Sequence, residues 1–161
     1  MLKKLCLVGG LAISFVIGLL CFLDAVSGFV ATSLPGRSES AGLGVGYLLV
    51  SLALLGASIA GLALFIVFSL KNKESIIPSI LVLACAGILF IGYFLIVSID
   101  SFKNIARIAE YIDGAKDDYL TYYIGSIFYQ LLRVGTAFII FCLVAACGVF
   151  SMVTLKKKKA A

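Results

Sequence analysis

The sequence predicts an all-α integral membrane protein: a four-helix bundle whose third and fourth spans run on as a helical hairpin beyond the bilayer. Three observations carry this. Hydrophobic residues make up 63% of the chain, whereas soluble domains are nearer half apolar. They fall in four blocks almost free of charge, at about 5–30, 43–70, 76–99 and 134–155, each long enough to cross roughly 30 Å of hydrocarbon as a helix. The basic residues segregate between the connections in a way that sets an orientation. No piece outside these blocks is long enough to fold alone, so 1–161 reads as one polytopic domain.

The first block opens after Lys3 and Lys4 and holds one acid, Asp24. Its apolar run exceeds the 7–15 residues of a signal-peptide core, so it is expected to stay as a span. Gly10, Ser14 and Gly18 stand four apart and give it one smooth face for a neighbouring helix. A polar connection with Pro35-Gly36 follows. The second block begins Gly42-Leu43-Gly44-Val45-Gly46, a poor helix former expected to remain partly loop. Beyond it Ala53, Gly56, Ala57, Ala60 and Gly61 stack as a second small-residue face. The turn at 71–75 leads to Pro78, placed where the first turn of a helix tolerates a missing N–H.

The third and fourth blocks are separated by residues 100–133, which do not read as a random loop. Phe102, Ile105, Ile108, Ala109 and Ile112 recur at helical spacing, with no Pro and no Gly before Gly114. The third helix is therefore expected to reach Ile112, with Gly114 as a left-handed cap and Asp117 or Asp118 capping the return. The return arm carries Tyr119, Tyr122, Tyr123 and Tyr129 and meets the fourth span without a breaker. Arms of 37 and 39 residues, about 55 and 58 Å as helix, match as an antiparallel pair. The alternative is that 119–132 lies flat in the interface, where Tyr is favoured.

Lys3, Lys4, Lys71, Lys73, Lys156, Lys157, Lys158 and Lys159 fall on one side, eight in all, against five basic residues on the other. Glu74 is the one acid on the first side; the other seven lie opposite. Both termini are thus expected in the cytoplasm, with the hairpin outside the cell or in a lumen. The net charge of +5 is a topology signal, not a sign of nucleic-acid binding. The lysines at 156–159 also suit an anchor on anionic lipid. With Ala160-Ala161 they are similar to a dilysine retrieval signal, so a bacterial inner membrane and the endoplasmic reticulum both remain open.

The chemistry is sparse. There is no His, which removes the commonest general base and a common metal ligand. No nucleophile–base pair, Gly-rich phosphate loop or ligand set stands out, so neither catalysis nor a cofactor is expected. Asp113, Asp117 and Asp118 lack the spacing of a calcium loop and read as turn residues. Cys6, Cys21, Cys85, Cys142 and Cys147 all fall in or at the ends of spans and read as small packing residues. No ionisable group lies at the midplane, where ion-coupled carriers need one. Asp24, near the outer end of the first span, is a candidate cation site or a partner for Arg133. The expected role is a non-catalytic accessory, assembly or scaffold subunit working by helix packing and by the Tyr-rich hairpin. Its partners would be the bilayer and a membrane protein or a second copy. The alternative is a carrier or channel subunit for a neutral solute, lined by Ser14, Ser51, Ser58 and Thr136.

Overall fold

The structure is a computed structural model and describes residues 1–32, 41–71, 73–114 and 120–160. Its helices are α1 (Leu2–Thr32), α2 (Ala41–Leu70), α3 (Ile77–Ile88), a π-helical segment (Leu89–Phe94), α4 (Leu95–Ile112) and α5 (Leu120–Ala160). Four stretches are long and apolar enough to cross a membrane: Leu2–Gly28, Gly44–Leu70, Ile77–Ile112 and Leu120–Leu155. The last two exceed the bilayer core, at about 54 Å each.

The bundle buries serines among its apolar core residues and is apolar without. Ser14, Ser58, Ser79 and Ser151 have no solvent exposure, while Leu49, Ile91 and Ile139 are exposed at 62%, 70% and 60%. In water this would be an inversion of the usual preference; in hydrocarbon the outer face costs nothing, and close packing comes from small residues instead. The helices are arranged α1–α2–α3–α5 around a square. α1 packs on α2 and α5, α3 packs on the same two, and α1 meets α3 across the short diagonal. Leu7, Leu11, Leu54, Val82, Cys85, Leu89 and Val144 form the core between them.

Glycines let these helices approach. Leu11 of α1 sits over Gly61 of α2, where a Cβ would fall 2.5 Å from its nearest methyl, and Leu55 of α2 sits over Gly18 of α1 in return. Leu83 of α3 covers Gly148 of α5. The seam between the third and fourth spans is antiparallel over its whole length. It runs from the Ser79–Ser151 hydrogen bond (2.7 Å) through the Phe90–Phe141 and Phe94–Phe138 ring contacts to the Arg133–Asp100 pair.

Three expectations are corrected. α2 begins at Ala41 and takes its glycine-rich start into the helix: a helix near hydrocarbon satisfies its own backbone groups, and that outweighs about 1 kcal/mol per Gly of lost propensity. The third span is not uniform, because its hydrogen bonding widens over Leu89–Phe94. There Gly92 meets Val50 of α2, where a Cβ would overlap both methyls and lie 3.0 Å from the Val50 Cβ. The extra residue of a π turn re-aims the helix beyond it. The third correction is at Ile112, where the helix ends as expected but Gly114 is not left-handed. Asp113 stays helical, at φ −61° and ψ −20°. The Gly114 N–H donates to the Tyr111 carbonyl at 3.3 Å, a tightened last turn that serves the same orphan groups.

Candidate functional site

α4 packs mainly along α5, with Val97 and Ser101 turned into that seam. α5 is one unbroken 41-residue helix, so the aromatic return arm is a rigid extension of the fourth span. At the level where the pair leaves the bundle, Arg133 Nη1 donates to Asp100 Oδ2 at 2.9 Å. The guanidinium's partner is thus Asp100, not Asp24; two antiparallel neighbours in register bring those two side chains together. Asp24 is exposed, and its backbone carbonyl accepts from Ser27 Oγ. The pair is a third to nearly a half exposed, so it fixes register more than it adds stability. Nearby the Tyr47 and Tyr93 rings stack at 6.3 Å, with the Cys21 thiol beside the Tyr47 hydroxyl.

Further out, α5 presents the tyrosines. Tyr122 and Tyr129 are 72% and 62% exposed, while Tyr123 is half-buried and meets Tyr122 edge-on at 5.8 Å. Seven residues apart on a helix, Tyr122 and Tyr129 share a face, and Gly125 and Ser126 lie between them. A Cβ at Gly125 would meet nothing within 4 Å. The result is a shallow groove of about 360 Å³ with a ring at each end, lined also by Thr121 and Gln130. Phe128 stands beside it, 66% exposed. Gln130 Oε1 and Ser101 Oγ are buried without a hydrogen-bond partner, a feature the sequence did not signal. Tyr119, Asp117 and Asp118 lie outside the described residues.

The small-residue faces divide. Gly10, Ser14 and Gly18 are buried, with Val82 and Cys147 over Gly10 and Leu55 over Gly18. On α2, Gly61 is buried and Ala57 packs against the core, but Ala53, Gly56 and Ala60 face outward. The serines of the solute-path reading are used otherwise: Ser14, Ser51 and Ser58 donate to carbonyls of their own helices at 2.8 Å. Thr136 is exposed and donates to the Leu132 carbonyl, so it does not share a lumen with those three. The backbone of α5 is helical to Ala160, which carries Lys156, Lys157, Lys158 and Lys159; their side chains lie outside the described set. Among the described residues, no three His, Cys, Asp or Glu gather around a point that could hold a metal ion. The phenylalanine seam of 90, 94, 138 and 141 was readable as i, i+4 and i, i+3 pairs facing one another, a signal the tyrosines overshadowed.

No family model, curated protein or solved structure matches the chain.

Proposed function

We propose that this chain is a non-catalytic subunit of a membrane complex, an accessory or assembly factor, that holds a partner protein through the outer hairpin. The observation that carries the reading is the groove between Tyr122 and Tyr129. It is an aromatic-ended, Gly-floored surface on a helix stiffened along its whole length by the fourth span. Tyr is favoured at protein interfaces because a rigid ring brings apolar area and a hydroxyl at low entropic cost. The concentration of basic residues at the end that holds both termini supports a cytoplasmic placement for that end and an outward or lumenal one for the groove. The bundle supplies the anchor: its core closes on itself and leaves lipid on the outside.

The test is gentle extraction from the native membrane followed by native mass spectrometry of the wild type and of the Tyr122→Ala and Tyr129→Ala variants. The wild type is expected to carry a second polypeptide, and each variant to lose at least tenfold of it, as a central aromatic contact does, while inserting normally. A wild type found alone, or variants that keep the partner at wild-type level, would overturn the reading.

A further inference from the structure

At the basic end of the bundle, α1, α2 and the 71–75 turn enclose a cavity of about 350 Å³, large enough for a small ligand. Its floor is apolar, with Leu7 of α1 and Phe65 and Phe68 of α2, and Pro78 closes one side. Its mouth is cationic: Lys3, Lys4 and Lys73 line it, against one carboxylate, Glu74. Glu74 lies 4.0 Å from Lys3, and among the described residues no ion pair includes Lys4 or Lys73. Ser69 contributes a hydroxyl. The Ser79–Ser151 bond ties the last turns of α5 to the same end.

A soluble anion would leave the phenylalanine floor uncovered, and a bare acyl chain would leave the lysines unmatched. We propose that the cavity binds the phosphate head of an anionic phospholipid, with Lys4 and Lys73 on the phosphate and the first carbons of a chain on Leu7, Phe65 and Phe68. The interior-facing leaflet is where such lipids and basic pockets between spans meet.

The test uses the full chain in vesicles of phosphatidylcholine and phosphatidylglycerol, with the bound lipids counted by native mass spectrometry. The wild type is expected to retain phosphatidylglycerol in preference. Lys4→Gln and Lys73→Gln should each lower that preference about fivefold. Lys71→Gln removes the same charge from the same turn but does not line the cavity, and should leave the preference within about twofold. Equal loss in Lys71→Gln and Lys73→Gln would show diffuse attraction and overturn the site, as would full retention in both Lys4→Gln and Lys73→Gln. Excess inorganic phosphate, compared with sodium chloride at matched ionic strength, separates the two sources of phosphate. Displacement of the lipid by phosphate alone would overturn the phospholipid as ligand, and persistence of the lipid supports it.

Discussion

The bundle and the hairpin are built from the same helices but solve opposite problems. In the bundle four large aliphatics sit on glycines of a neighbouring helix: Leu11 on Gly61, Leu55 on Gly18, Val50 on Gly92, Leu83 on Gly148. The serines are buried and spend their hydroxyls internally. In the hairpin the relation reverses. Gly125 has open space around it, and the large side chains Phe102, Tyr122, Phe128 and Tyr129 are each more than 60% exposed. Gly18, Gly61, Gly92 and Gly148 are sockets for a neighbouring helix, whereas Gly125 is a gap. On the proposed reading the self-contained core is the anchor and the uncovered aromatic surface is the contact.

Substitutions at the glycines test that contrast most strongly. Gly92→Ala forces a methyl into the stiff β-branched Val50 at the π turn, and should destabilise the bundle by about 1–3 kcal/mol in a reversible unfolding assay in detergent. An unchanged stability would mean the π segment is not held by that contact. Next comes a paired comparison of one substitution in two places. Gly61→Ala presses on Leu11 in a filled core and should destabilise by about 1 kcal/mol or more. Gly125→Ala meets nothing and should stabilise by up to about 1 kcal/mol through helix propensity alone. Equal signs for the two would remove the distinction between the regions. The smallest effect expected is at the interhelical serine pair, where Ser79→Ala should cost about 0.6 kcal/mol, the usual scale of such bonds between spans, and a double-mutant cycle with Ser151→Ala should return most of it.

Much of this architecture was legible from residue order. Span lengths, the run of the third helix to Ile112, the place of Pro78 and the unbroken link from Tyr122 to Thr154 follow from local rules of length, periodicity and breakers. What escaped depends on contacts between helices. The π turn exists where Gly92 meets Val50, and nothing in Leu89–Phe94 alone distinguishes it from ordinary helix. Arg133 had two acids within reach by depth, Asp24 and Asp100; only the register of two antiparallel neighbours selects Asp100. Charge and small-residue counts gave the faces of α1 but could not say that Ala53, Gly56 and Ala60 turn outward while Gly61 turns in. The cavity at the basic end was hidden for a similar reason, since its walls come from three separate stretches of chain.

The proposed function requires that the groove between Tyr122 and Tyr129 be covered by a protein. It is tested most directly by placing a photo-crosslinking amino acid at 122, at 129 and, as a lipid-facing control, at 49, and irradiating the native membrane. The account predicts a discrete larger polypeptide adduct from 122 and 129, and lipid adducts alone from 49. Lipid adducts alone from all three positions would contradict it, and would place the return arm flat in the membrane interface.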